Sequence, residues 1–137
     1  MAAPVPPTVL IVDDYPDAIE VWEFYLTSEG FSVLTAADGR VALEKAMIMR
    51  PDLVVMDLEL PGLSGYEVAR RLRADAHSKG IPLIAATGCS HDAQLAEARA
   101  IGFDAILVKP CDPAELVGEI RRLLAARPGQ PPATTNA

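Results

Sequence analysis

Short apolar segments recur along the chain, and each is rich in Val, Leu, Ile or Ala. Apolar runs of this length, bounded by Gly, Pro or Asp, are typical of strands that are buried on both faces. The pattern therefore predicts five strands. They cover residues 8–12, 31–35, 53–56, 81–86 and 104–108.

Between these segments, apolar residues recur at helical spacing, which predicts an amphipathic helix after every strand. Gly30 ends the first helix, and the last one cannot continue through Pro128. Several helix starts carry a residue that suits a cap or a first turn, such as Asp, Ser or Pro. The predicted helices open near Pro16, Asp38, Tyr66, Ser90 and Asp112.

Strands that alternate with helices predict an α/β fold with a doubly wound parallel sheet, because each right-handed crossover needs a helix to return the chain. A length of 137 residues fits one domain. We expect this domain to cover residues 8–126. We expect residues 1–7 and the Pro-rich tail 127–137 to be disordered.

The composition restricts the partners and the compartment. The net charge of -7 argues against nonspecific binding of nucleic acid, since no basic patch can neutralise phosphates. No apolar run is long enough for a membrane helix, and the chain start does not resemble a signal peptide. We therefore expect a cytoplasmic protein whose partners are other proteins or a cation, with no nucleic acid and no membrane. We expect Cys89 and Cys111 to be reduced thiols.

Polar residues follow four of the predicted strands. Asp13 and Asp14 follow the first strand, Asp57 the third, Thr87 the fourth and Lys109 the fifth. Because the carboxyl ends of parallel strands meet at one edge of a sheet, we expect these side chains to converge. The carboxylates repel one another unless a cation lies among them. Hard oxygen ligands without His or Cys favour Mg²⁺, with Mn²⁺ as an alternative.

Thr87 and Lys109 complete what phosphoryl transfer requires. An ionised Asp57 can act as the nucleophile, while a metal, an ammonium group and a hydroxyl stabilise charge on the phosphoryl oxygens. Each residue alone has an ordinary alternative, since an acid at a strand end can cap a helix and Thr87 can occupy a turn. Their combination favours the interpretation as a site.

These motifs resemble a known family. Residues 8–126 resemble the receiver domain of two-component response regulators, in particular its stand-alone, chemotaxis-regulator-like type. The resemblance implies a flavodoxin-like sheet with strand order 2-1-3-4-5. The matching motifs are Ile11-Val12-Asp13-Asp14, Val55-Met56-Asp57 with Leu60-Pro61-Gly62 and Gly65, Ala86-Thr87-Gly88, and Val108-Lys109-Pro110.

The resemblance also implies a role for each site residue. Asp57 accepts a phosphoryl group from a histidine kinase or a histidine phosphotransfer protein, and Thr87 and Lys109 contact that group. Phosphorylation reshapes the face of the fourth helix, fifth strand and fifth helix, which binds a downstream protein. The implied activity is that of a signalling protein, not an enzyme. The implied Mg²⁺ ligands are Asp13, Asp14, Asp57 and the backbone carbonyl of Glu59.

One position departs from the family pattern. The family usually has Phe or Tyr three residues before the lysine, and this chain has Ile106. The phosphorylation chemistry is unaffected by this change, but the switch has no ring to move. We expect the output to depend on the fourth helix and the loop before it. Glu59 and Cys89 occupy positions where the family tunes the lifetime of the phosphoryl group.

Three other readings are open. A phosphatase of the haloacid-dehalogenase type also combines an Asp nucleophile, Thr, Lys and Mg²⁺, but its other acids follow the lysine and no cap domain fits here. A flavodoxin-like FMN carrier would not place acids in its phosphate loop. A receiver-like module could also bind partners without phosphorylation. Because the chain ends soon after the fifth helix, we expect a stand-alone receiver.

Overall fold

The computed structural model describes residues 5–88 and 91–126. The tail predicted for residues 127–137, the first four residues, and Cys89 and Ser90 lie outside these ranges. Within them, strands and helices alternate along the chain. None of the helices described combines the length and the apolar character that a bilayer-spanning segment needs.

The elements match the predicted order. The strands are β1 (Thr8–Val12), β2 (Ser32–Ala36), β3 (Leu53–Met56), β4 (Leu83–Thr87) and β5 (Ala105–Val108). The helices are α1 (Pro16–Ser28), α2 (Gly39–Met49), α3 (Gly65–Ala74), α4 (Asp92–Ile101) and α5 (Pro113–Ala125).

All neighbouring strands pair in parallel, in the order β2-β1-β3-β4-β5. This order confirms the predicted doubly wound fold and the flavodoxin-like topology. Leu10 and Ile11 are adjacent in β1 and point to opposite faces of the sheet. Leu10 joins a core cluster with α2, α3 and α4, and Ile11 joins a second cluster with α1 and α5. Burial on both faces explains why the strands are continuous apolar runs.

Three strands begin later than predicted: β5 begins one residue later, at Ala105, and local hydrogen bonds explain the differences in β2 and β4. Phe31 lies outside β2, because its N–H donates to the Leu26 carbonyl at 3.1 Å and closes the end of α1. Ile81 lies outside β4, because its N–H donates to the Ser78 carbonyl at 3.0 Å. Both apolar side chains are nevertheless buried in the core.

The start of α4 also differs from the prediction. The residue at the start of α4 is His91, whose side chain makes no capping hydrogen bond. The predicted cap, Ser90, lies outside the described residues. α3 ends at Ala74, and the Ser78 hydroxyl donates to the Leu72 carbonyl at 2.7 Å in the turn that follows.

The guanidinium group of Arg73, near the end of α3, joins several segments at the amino edge of the sheet. It donates to the carbonyls of Lys79 and Ile81 at 2.8 and 2.7 Å. Two of its nitrogens donate to the Gly102 carbonyl at 3.1 and 2.7 Å, and one pairs with Asp104 at 3.0 Å. Burial lowers the pKa of Arg73 from its ordinary value, although Asp104 opposes this shift. One side chain therefore satisfies three backbone carbonyls.

We expect the substitution Arg73→Ala to lower the free energy of unfolding by about 2–4 kcal/mol, because it leaves the three carbonyls without this donor and removes the ion pair with Asp104. Urea unfolding followed by far-ultraviolet circular dichroism measures the loss. Arg71→Ala is the matched control, since Arg71 is an exposed residue of the same helix that pairs with Glu67 on the surface. Its expected cost is below about 1 kcal/mol. Equal costs for the two variants would contradict the role given to Arg73.

Candidate functional site

The hydrogen-bond ladder of the sheet extends past the ends of β1 and β3. The N–H of Asp13 donates to the Ala36 carbonyl, and the N–H of Asp57 donates to the Val12 carbonyl, both at 3.1 Å. The sheet therefore holds the backbones of Asp13 and Asp57 as part of its own ladder. Both residues lie at its carboxyl edge.

Three carboxylates meet at this edge. Asp13, Asp14 and Asp57 each offer one oxygen, and these oxygens lie within 4.8 Å of one another. Asp13 is buried, Asp57 is half-buried and Asp14 is exposed. Oδ1 of Asp13 accepts the N–H of Tyr15 at 3.0 Å, and Oδ1 of Asp57 accepts the N–H of Glu59 at 3.1 Å. Each of these two carboxylates is therefore oriented by the turn that follows it.

The ammonium group of Lys109 bridges two of the carboxylates. It donates to Oδ2 of Asp13 and, at 3.2 Å, to Oδ2 of Asp57. Burial of the side chain disfavours its charge, but the hydrogen bonds and charges of Asp13 and Asp57 outweigh burial and raise the pKa of Lys109 above its ordinary value. Lys109 is therefore cationic at neutral pH and offsets part of the repulsion among the acids. Its contact with Asp13 was not anticipated from the sequence.

Thr87 is the last residue of β4 and is completely buried. Its carbonyl accepts the N–H of Lys109 at 2.8 Å, which joins the ends of β4 and β5. The Lys109–Pro110 peptide bond that follows is cis. The structure thus brings the five predicted site residues to one edge of the sheet: Asp13, Asp14, Asp57, Thr87 and Lys109.

The acidic cluster suits a hard divalent cation in its ligand chemistry. Its members are all carboxylates, their oxygens lie close together, and none of the described His or Cys residues belongs to the cluster. This donor set fits Mg²⁺ or Mn²⁺ much better than zinc. The role of the Glu59 backbone carbonyl as a metal ligand stays a prediction.

Two glycines hold the loop between β3 and α3 in place, and only one of them was part of a predicted motif. A Cβ atom on Gly65 would lie 2.3 Å from the Asp57 carbonyl oxygen, and one on Gly39 would lie 1.8 Å from the Leu63 carbonyl oxygen. The N–H groups of both glycines also donate into this loop, to Leu58 and Pro61. A glycine at a helix start is the only sequence signal for such a close approach.

An apolar groove of about 480 Å³ opens beside Lys109. Tyr15 and Trp22 line one side, and Pro110 and Cys111 line the other. Burial, together with the charge of Glu115, raises the pKa of the Cys111 thiol. The groove was not predicted, because its two walls lie far apart along the chain.

β5 carries a half-buried aliphatic side chain at the position where the receiver family usually has an aromatic ring. Ile106 lies on β5 and packs against the core cluster beneath α4. Among the described residues of α4 only Ala98 is buried, whereas α5 buries Leu116, Val117 and Ile120. The attachment of α4 to the sheet is therefore weaker than that of α5.

A parallel sheet in this strand order, with three acids, a threonine and a lysine at its carboxyl edge, defines the receiver class of signalling domains. The family model of the response regulator receiver domain matches residues 9–121. The chain belongs to this family. Receiver domains act in two-component signalling and are generally not classical enzymes, and Mg²⁺ binding is typical of them.

Relatives of known name agree with this assignment. The chain is 37% identical over 123 residues to the DNA-binding response regulator MtrA of Mycolicibacterium smegmatis. The aligned region covers 90% of this chain and 53% of that protein. The chain is 38% identical over 116 residues to the probable transcriptional regulator ycf27 of Cyanophora paradoxa, covering 85% of this chain and 47% of that protein. The chain thus spans about half the length of these relatives. The expected lack of a nucleic-acid partner stays a prediction.

Solved structures show the same fold. The chemotaxis response regulator CheY4 of Vibrio cholerae is 32% identical, with a TM-score of 0.81 and coverage of 87% of this chain and 99% of that one. The receiver domain of the sensor histidine kinase PA1611 from Pseudomonas aeruginosa is also 32% identical, with a TM-score of 0.83 and coverage of 89% and 100%. That structure has a magnesium ion coordinated in its active-site cleft.

We expect Gly65→Ala to weaken Mg²⁺ binding by about tenfold, because the added Cβ displaces the loop that leaves Asp57 and loosens the acidic cluster. Isothermal titration calorimetry with MgCl₂ measures the affinity. Gly118→Ala in α5 is the control, since a Cβ there meets nothing within 4 Å. It should leave Mg²⁺ affinity unchanged and raise stability by about 0.5–1 kcal/mol. Unchanged affinity in a folded Gly65→Ala variant would contradict the prediction.

Proposed function

We propose that this receiver domain accepts a phosphoryl group on Asp57 from a histidine kinase or a histidine phosphotransfer protein, in a reaction that requires Mg²⁺. The observation that carries the proposal is the position of Lys109 between Asp13 and Asp57. A cation at this place can contact both the acceptor and the oxygens of an incoming phosphoryl group. The fold, the acidic cluster and the family membership all agree with it.

In the proposed reaction, a carboxylate oxygen of Asp57 attacks the phosphorus of a phosphohistidine, the P–N bond breaks, and the imidazole leaves. A carboxylate is already the nucleophilic form, so no general base is required. The Lys109 ammonium stabilises negative charge on the phosphoryl oxygens, and the Thr87 hydroxyl donates a hydrogen bond to another of them. The N–H of Glu59 holds the acceptor carboxylate in a fixed orientation.

Asp13, Asp14 and Asp57 would hold the metal, with the Glu59 carbonyl as a further ligand. When bound, Mg²⁺ supplies positive charge that neutralises the acids and the phosphoryl oxygens. The Mg²⁺-containing receiver structure from Pseudomonas aeruginosa supports this choice of metal. Mn²⁺ is the alternative that the same hard ligands would accept.

The proposal assigns different partners to different surfaces. The phosphodonor protein must approach Asp57 at the carboxyl edge, where the apolar groove between Trp22 and Pro110 can receive its side chains. The downstream protein binds the face formed by α4, β5 and α5. Because Ile106 offers no ring and α4 buries little of its own surface, we propose that displacement of α4 carries the signal. We also propose a cytoplasmic location, which is typical of the family.

Two other functions remain as alternatives to phosphoryl acceptance within a signalling pathway. A haloacid-dehalogenase-type phosphatase would hydrolyse phosphomonoesters repeatedly at the same acids. A phosphorylation-independent receiver would bind partners without an Asp57 adduct. The complete set of site residues at one edge favours the phosphoacceptor over both.

We expect incubation with acetyl phosphate and Mg²⁺ to add one phosphoryl group per chain, detected by intact-mass spectrometry. The adduct should be absent without a divalent metal and labile to base, as an acyl phosphate is. Asp57→Asn should abolish it, because an amide is a poor nucleophile. Lys109→Gln should reduce the rate at least about tenfold, since charge stabilisation of the phosphoryl oxygens is lost.

Glu20→Gln is the matched control, because Glu20 is an exposed acid of α1 outside the cluster. It should be phosphorylated like the wild type. An adduct that persists in Asp57→Asn would refute the assignment of the acceptor. Continuous hydrolysis of unrelated phosphomonoesters would favour the phosphatase. A wild-type chain with neither adduct nor phosphate release would favour the phosphorylation-independent module.

A further inference from the structure

β2 is an edge strand, so one side of its backbone has no neighbouring strand within the described part of the chain. The N–H of Ser32 donates to the Pro7 carbonyl, and the carbonyl of Ala36 accepts the N–H of Asp13. Backbone groups alternate in direction along a strand, so the even-numbered residues of β2 face β1. The N–H and C=O groups of Val33 and Thr35 therefore point away from the sheet.

Lys45 of α2 forms a hydrogen bond with one of these outward-pointing groups, the carbonyl of Thr35. Its ammonium donates to the Thr35 carbonyl at 2.5 Å, and its side chain is half-buried. None of the described carboxylates lies within ion-pair distance of Lys45. The ammonium group of Lys45 thus lies at the side of β2 where the Val33 and Thr35 backbone groups point outward, which we call the open edge. A backbone carbonyl, not a carboxylate, positions it there.

The open edge is complementary to itself. If two copies approach antiparallel, with Leu34 opposite Leu34, Val33 of each copy lies opposite Thr35 of the other. Two such residue pairs exchange four N–H···O bonds. The surface beside this edge is apolar. Val41 and Ile48 lie on the same face of α2 as Lys45, because they are four and three residues away from it. Ile48 is 72% exposed, and Val41 and Leu34 are half-buried. Pairing of the two edges would cover part of this surface.

Lys45 opposes the pairing in two ways. It occupies the Thr35 carbonyl, which two of the four bonds need as their acceptor. It also places an ammonium group at the junction in each copy, and two like charges across paired strands repel. Charged side chains, lysine above all, are a common protection of strand edges against pairing with another chain.

We propose that the open edge of β2 is a latent self-pairing surface and that Lys45 keeps it closed to a second copy of this chain. The role is independent of phosphorylation and of the acidic cluster, because β2 contributes no side chain to that cluster. Removal of the ammonium group alone would allow the β2 edges of two copies to pair.

The test is sedimentation velocity over a range of protein concentrations. Lys45→Met keeps the aliphatic stem and removes the charge, and Lys45→Ala removes both. We expect each variant to form a species of twice the wild-type mass and to self-associate about tenfold more tightly than the wild type. In the associated form, hydrogen exchange of the Val33 and Thr35 amides should slow, as measured by NMR.

Two controls separate the proposal from a simple effect of net charge. Lys45→Arg retains a donor for the Thr35 carbonyl and should behave like the wild type. Lys79→Ala loses the same charge at an exposed position and should also behave like the wild type. Folded Lys45→Met and Lys45→Ala variants that sediment like the wild type would overturn the proposal. So would association of the Lys79→Ala variant, or association without protection of the β2 amides.

Discussion

The mutual repulsion of carboxylates at one edge of the sheet is the constraint on which the functional half of this molecule depends. In a parallel sheet the carboxyl ends of the strands lie along one edge. Here two strands are followed by acids whose backbone N–H groups are hydrogen-bonded within the sheet, so these acids cannot move apart. Lys109 offsets part of the repulsion from the end of a third strand. The site is therefore charged and rigid in its backbone, and its carboxylate donor set fits a divalent cation, as the proposed phosphoacceptor role requires.

The sequence predicted the fold and the site because both follow from local patterns combined with one rule of topology. Apolar runs located the strands, and the shared direction of parallel strands located Asp13, Asp57 and Lys109 together. Interactions that join distant segments were not predictable in this way. In the sequence, Arg73 and Lys45 cannot be distinguished from ordinary surface cations. In the structure, Arg73 donates to three backbone carbonyls, and Lys45 donates to a carbonyl on the open edge of β2.

The errors in element boundaries have the same origin. Phe31 and Ile81 are apolar and adjoin strands, so a hydrophobic pattern includes them. Their N–H groups are bound to the preceding helix and turn, and this competition decides where each strand begins. A residue can be buried without pairing in a strand. A hydrophobic pattern predicts burial, but it does not predict where strand pairing begins.

The network around Arg73 lies at the amino edge of the sheet, opposite the acidic cluster. Stabilising contacts and reactive groups thus occupy opposite ends of the same strands. A protein engineer who wishes to change which partner this domain binds can vary exposed residues of the groove, such as Tyr15 and Val21, while leaving the Arg73 end untouched. The contacts of Arg73 then continue to stabilise the fold while the surface proposed for partner binding is changed.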